Sequence, residues 1–170
     1  WTPIRDGSSA CVCAWGPAVV SKPPNSRRMQ RLALIAALVG GAGAALGHAP
    51  FHLWFLAIPG FAALIWAVSQ APTRRRAFRN GWLAGDSYFA VALHWIVEPF
   101  LVDAATHGWM APGALILVAG GLALFWGLAG WAARWLSGSS TATALAFALC
   151  LTTMELVRGH IFTGFPWAMP

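Results

Sequence analysis

Five apolar stretches, at residues 32–47, 51–71, 81–97, 114–135 and 142–157, follow one another with only short polar turns between them. A membrane-spanning helix needs about 20 predominantly apolar residues to cross a hydrocarbon core of about 30 Å. A chain organised this way has to satisfy its backbone hydrogen bonds within each segment, which points to helices. The composition agrees. Hydrophobic residues make up 58% of the chain and charged residues only 9%, whereas soluble domains carry about 25% charged residues. That balance excludes an ordinary soluble domain, and it is the reverse of what a disordered chain requires. Three cysteines are too few for a disulfide scaffold. The expected architecture is therefore an all-α, polytopic transmembrane helix bundle of about five spans.

Charge placement orients the bundle. Lys and Arg number 11 against 5 Asp and Glu, for a net charge of +6. In a soluble protein that excess suggests a nucleic-acid partner. Here Arg27, Arg28 and Arg31 precede the first stretch, Arg74, Arg75, Arg76 and Arg79 separate the second from the third, and Arg134 closes the fourth. With five spans all of these fall on one side of the membrane, and of the loops on the other side only the one after the fifth stretch has a basic residue, Arg158. Because Lys/Arg bias sets orientation, the N-terminus is expected to be cytoplasmic. The positive charge thus records topology, and no nucleic-acid partner is expected.

Residues 1–28 show neither helical nor strand periodicity and contain Pro3, Pro17, Pro23 and Pro24, so they are expected to form an unstructured tail. The tail could also be sequence upstream of a true start at Met29. Residues 29–170 are expected to form the bundle. The first stretch, after Arg-Arg-Met-Gln-Arg, has the flanks of a signal peptide, but a second apolar run follows it instead of a polar mature domain. At 1.5 Å per residue it is only about 24 Å long, so it is expected either to extend toward Pro50 or to be a tightly packed interior helix. Gly43 and Gly47 form a small-residue pair suited to close helix contact. Residues 72–80 read as a short basic loop, and 98–113 as a loop with Pro99, Asp103, His107, Gly108 and Pro112. The chain begins with Trp1 and runs to Pro170 through an aromatic, Pro-containing stretch, and is expected to be a fragment.

Ionisable residues inside spans are costly and default to function. On a helix, Asp86 and His94 would lie within about 80° of each other, and His94 and Glu98 would be an i, i+4 pair. Together they suggest a small transport or binding protein with a polar path. Alternatively each reaches interfacial water from its end of the span. His48 and His52 bracket Pro50 at a spacing compatible with metal binding, but no third ligand is near in sequence, and no metal or cofactor is expected. Cys11 and Cys13 lack the spacing of a zinc or redox site. Cys150 has no neighbouring His or Lys to activate its thiol and is expected to be a packing residue.

The C-terminal run is the most specific feature: Glu155-Leu-Val-Arg158-Gly159-His-Ile-Phe-Thr163-Gly164-Phe165-Pro166-Trp167. Glu155 and Arg158 can pair at a helix end, Gly159 can cap it, and Gly164 and Pro166 turn the backbone to present Phe165 and Trp167 at the outer interface. These rings serve either as an interfacial anchor or as a groove for acyl chains. The run resembles the signature of apolipoprotein N-acyltransferases. Three more stretches agree in order and spacing: His48-Ala-Pro-Phe-His-Leu-Trp54; Gly81, Gly85, Phe89 and Trp95; and Ala105-Thr106, Gly108 and Met110.

The resemblance implies a multi-pass enzyme of the bacterial inner membrane. Such an enzyme transfers an acyl chain from a phospholipid donor to the α-amino group of the diacylglyceryl-cysteine of an apolipoprotein. It also implies a periplasmic nitrilase-like domain whose Glu, Lys and Cys form a thioester, with Cys as nucleophile and Glu as general base. Those three residues are expected to lie beyond Pro170, with the nitrilase-like domain absent from this chain. No catalytic residue is therefore assigned, and the fragment alone is expected to be inactive. Carried over are Gly164, Phe165, Pro166 and Trp167 as lipid-binding residues, with Glu155 and Arg158 supporting them.

Overall fold

The computed structural model describes residues 26–48 and 51–161, and every regular element among them is helical. Five long helices carry the fold: α1 (Ser26–Ala45), α2 (Trp54–Ser69), α3 (Arg74–Ala92), α6 (Ala111–Leu136) and α7 (Ser140–Ile161). Between α3 and α6 the chain makes a 3-10 turn (His94–Val97), two single-turn helices, α4 (Glu98–Leu101) and α5 (Ala104–His107), and a second 3-10 turn (Gly108–Met110). The stretch expected to be a plain loop is thus a chain of short helical turns.

Two helical segments among the described residues, within 104–136 and 140–161, are long and apolar enough to cross a membrane by length and composition, while α2 is apolar but shorter. The remaining two long helices are diluted by polar residues, because each begins in an arginine cluster. In α1 the helix starts at Ser26, taking in Arg27, Arg28 and Met29, and ends at Ala45. Its 20 residues correspond to about 30 Å. The length missing from the first apolar stretch is therefore supplied at its N-terminal end, not toward Pro50.

A similar correction applies to residues 72–80. Only the beginning is a turn, and Arg74–Asn80 forms the first two turns of α3. Thr73 is the reason: its Oγ1 accepts the Arg76 backbone N–H at 3.4 Å, a helix cap. Arginine is also a good helix former whose stem can lie along apolar surface with its head in water. At the other end α3 stops at Ala92, short of the predicted 97.

The core is built from small residues. Ala33, Ala37, Ala44, Ala67, Ala77, Ala84, Ala119, Ala123, Ala129 and Ala133 are buried, around the large side chains of Tyr88, Phe89, Trp126 and Phe147. α3 packs most extensively on α6, α1 lies against α2 and α3, and α7 lies against α6 and α2. Backbone approach sets the α1–α2 contact: a Cβ on Gly60 would sit 2.5 Å from the Ala44 backbone N, and one on Gly40 would sit 2.8 Å from the Gly60 carbonyl. Of the expected small-residue pair, Gly43 has only ordinary contacts at 3.7 Å, whereas a Cβ on Gly47 would lie 2.8 Å from the Ala57 Cβ, so Gly47 is tight, as are Gly40 and Gly60. Pro59 is accommodated inside α2.

The antiparallel course of the long helices gathers the start of α1, the α2–α3 turn and the α6–α7 turn at one end. Gln70 Nε2 donates to Ser140 Oγ at 3.2 Å across these turns. Every described arginine except Arg158 therefore belongs to this end. Outward faces carry exposed Ile35, Val39, Ile58, Leu117, Leu145 and Leu149.

Candidate functional site

The Glu155–Arg158 pair, expected near a helix exit, is turned into the bundle. Glu155 is 8% and Arg158 2% exposed. Arg158 donates to Glu155 Oε2 from Nε at 3.2 Å and also from Nη2. The other carboxylate oxygen, Oε1, accepts the Trp126 indole N–H at 2.7 Å. The Arg158 guanidinium lies 5.1 Å from the centroid of the Phe89 ring, a cation–π placement. Burying an ion pair costs several kcal/mol per ion unless its geometry is good and its remaining groups are bonded. Here both carboxylate oxygens are engaged and the cation has an aromatic face.

Around the pair the aromatic residues form one contiguous packing unit. Tyr88 and Trp126 have ring centroids 4.9 Å apart, Tyr88 and Phe89 5.1 Å, and Phe89 and Trp126 5.7 Å. Phe61 approaches Trp126 at 6.5 Å from α2. The Tyr88 hydroxyl reaches His48 Nε2 at 3.3 Å, extending the network to the end of α1. A carboxylate paired with Arg158 and held by Trp126 ties α7 to α6. Beside it, a groove of about 490 Å³ runs between α2 and α7, lined by Phe61, Ile65, Leu151, Thr152, Glu155 and Leu156.

The spacing of Gly81, Gly85 and Phe89 now has a physical reason. Positions four apart share one helix face, and this face of α3 meets Trp126: a Cβ on Gly81 would lie 2.5 Å from the Trp126 carbonyl, and one on Gly85 3.0 Å from the Trp126 Cβ. Trp126 itself, fully buried, was not singled out by the sequence reading, nor was Tyr88. A Trp in the middle of an apolar stretch, away from either interface, was the available signal.

The other candidates separate. Asp86 lies in α3, His94 in the following 3-10 turn and Glu98 in α4, so the expected i, i+4 pair is not formed on one continuous helix. His94 Nδ1 is 2.9 Å from the Val91 carbonyl, and His94 and Glu98 are exposed. No hydrogen bond or ion pair joins these three among the described residues. His48 points to Tyr88, whereas His52 is exposed in a left-handed conformation at φ 54°. Among the described residues no group of three or more His, Cys, Asp or Glu is gathered as a metal site. Cys150 is half-buried and packs against the core. Gly159 is buried inside α7, which continues to Ile161, so the expected cap at Gly159 is not used. The inward-facing pair keeps the last turns packed and helical. Gly164, Phe165, Pro166 and Trp167, together with Pro170 beyond them, lie outside the described residues, as do Cys11 and Cys13.

Residues 40–170 match the family model described as the apolipoprotein N-acyltransferase N-terminal domain. The chain belongs to the apolipoprotein N-acyltransferase family. Among the relatives that carry that name, the protein of Caulobacter vibrioides is 47% identical over 137 residues, covering 79% of this chain and 26% of that protein. The Rhodopseudomonas palustris protein is 36% identical over 138 residues, covering 78% and 26% respectively. The Brucella melitensis protein is 37% identical over 142 residues, covering 78% and 27%. The chain thus spans about a quarter of the length of these relatives. Glu155, Arg158, Trp126, Phe89 and Gly60 all fall within the part matched by the family model, which extends to Pro170.

Proposed function

We propose that this chain is the N-terminal membrane portion of an enzyme that completes bacterial lipoprotein maturation. The reaction moves an acyl chain from a phospholipid to the α-amino group of an S-diacylglyceryl-cysteine at a lipoprotein's N-terminus. The enzyme thiol first takes the acyl group from the phospholipid ester, the acyl C–O bond breaking to release a lysophospholipid; the α-amino nitrogen then attacks the thioester carbonyl, the C–N bond forms as the C–S bond breaks, and the proton lost by nitrogen returns to the thiol. In this reading the Cys, Glu and Lys of that step belong to a nitrilase-like domain that follows Pro170, outside these 170 residues. The membrane portion places that domain and its lipid donor at the outer face of the inner membrane.

The observation that carries the reading is the family match over residues 40–170. Supporting it, five long antiparallel helices alternate so that the arginines gather at one end, as a five-span, N-in topology requires. The apolar outer faces suit a lipid surround. Within this topology Glu155 and Arg158, held by Trp126 and Phe89, fix the end of α7. Gly164, Phe165, Pro166 and Trp167 follow it and hold the acyl donor at the interface.

The test is a chimera in which residues 40–170 replace the matching segment of the Caulobacter relative, expressed in a strain depleted of its own N-acyltransferase. Mass spectrometry of a lipoprotein's N-terminal peptide is expected to show the triacylated form. A chimera that reaches the membrane intact and leaves only diacylated peptide overturns the proposal.

A further inference from the structure

The end of the bundle opposite Glu155 and Arg158 holds a second polar site. A pocket of about 210 Å³ lies between the start of α1, the α2–α3 turn and the first turns of α3, with Gln30, Gln70, Arg76, Arg79 and Asn80 among its lining residues. Asn80 is only 3% exposed. Its Nδ2 donates to the Ala67 carbonyl at 2.7 Å, satisfying an acceptor in the last turn of α2. Its Oδ1 is buried and has no hydrogen-bond partner among the described residues. Arg76 and Arg79 make no ion pair among the described residues, and no carboxylate lines the pocket.

The unmet groups define the ligand. Two uncompensated guanidiniums call for an anion, and a phosphate matches their fork geometry. Asn80 Oδ1 is closed off from solvent, so the arginines carry the recognition. A headgroup ammonium would bring a third positive charge against Arg76 and Arg79, so a headgroup without one suits the pocket better. The pocket is headgroup-sized, and exposed Leu32 and Ile35 on α1 offer apolar surface to acyl chains.

We propose that this pocket binds the phosphodiester of an anionic glycerophospholipid in the cytoplasmic leaflet, with the phosphate on Arg76 and Arg79. The inference rests on the membrane-spanning reading but not on acyl transfer. It assigns the inner face a lipid site separate from the donor site at the outer face.

Native mass spectrometry of the 170-residue chain in neutral detergent, titrated with phosphatidylglycerol or phosphatidylethanolamine, tests it. Phosphatidylglycerol is expected to bind at least about tenfold more tightly, and R76Q/R79Q to weaken it about 30-fold. R74Q/R75Q removes the same charge from a neighbouring pocket that also involves Arg134, and is expected to change binding less than about threefold. Equal losses in the two arginine pairs reveal diffuse attraction and overturn the site. Displacement by equimolar glycerol 3-phosphate or inorganic phosphate overturns the lipid assignment. Alkaline extraction of membranes checks the spanning reading separately: a chain that stays in the bilayer without lipid preference defeats this inference alone.

Discussion

The indole N–H of Trp126 donates a 2.7 Å hydrogen bond to Glu155 Oε1, joining α6 to α7 through two buried side chains 29 positions apart in sequence. Because the second oxygen of Glu155 holds Arg158, and Arg158 lies over Phe89 of α3, one carboxylate connects three helices. Trp126 also packs on Tyr88 and Phe61, which brings α2 into the same unit.

Replacing Trp126 by Phe keeps an aromatic ring but removes the donor to a buried carboxylate. A hydrogen bond to a charged group contributes about 1.5–3 kcal/mol. The variant is expected to unfold earlier by about that amount in detergent–SDS titration. A variant with wild-type stability shows that the bond contributes nothing net.

Glu155→Leu and Arg158→Leu each leave the partner charge buried and unpaired, which costs about 3–5 kcal/mol. The double variant leaves no buried charge and is expected to recover much of the loss. The same titration on all four proteins gives the coupling energy. Additive losses contradict the pairing.

Gly60→Ala and Gly121→Ala separate close approach from helix propensity. The first pushes a methyl group against the Ala44 backbone, while a Cβ on Gly121 meets nothing within 4 Å. Gly60→Ala is expected to destabilise by about 1–3 kcal/mol. Gly121→Ala is expected to be neutral or to stabilise by up to about 1 kcal/mol. Thermal inactivation of detergent-solubilised protein measures both.

Topology is read by labelling single cysteines in a Cys-free background. Arg75→Cys is expected to react with an impermeant maleimide only after the inner membrane is opened. Trp109→Cys, exposed in the 3-10 turn before α6, is expected to react from the periplasmic side. The opposite pattern reverses the orientation, and labelling of both positions from one side excludes the five-span arrangement.

The helical class and the gathering of the arginines were legible from the spacing of apolar stretches and charges alone. The family was legible from the Glu155 to Trp167 run and three ordered motifs. Boundaries were less so: Arg74–Asn80 read as a loop because it is strongly basic, yet it is helical because Thr73 caps it and long arginine stems leave their charges at the bundle end. Pairing of Asp86, His94 and Glu98 failed because it assumed one continuous helix, and α3 ends at Ala92.

By itself the sequence determined the element type, the charged end of the bundle and the family, since these depend on composition and on order along the chain. Only the tertiary structure decided that Glu155 and Arg158 face inward, that Trp126 is their partner, that Gly40 and Gly60 bring the backbones of α1 and α2 together, and that Asn80 is buried beside Arg76 and Arg79. The reason is physical. A helix that is apolar all round has no polar face to mark its outside, so its inward side is chosen by how small residues let neighbouring backbones pack. That choice is made between helices and leaves little trace in the periodicity of any one of them.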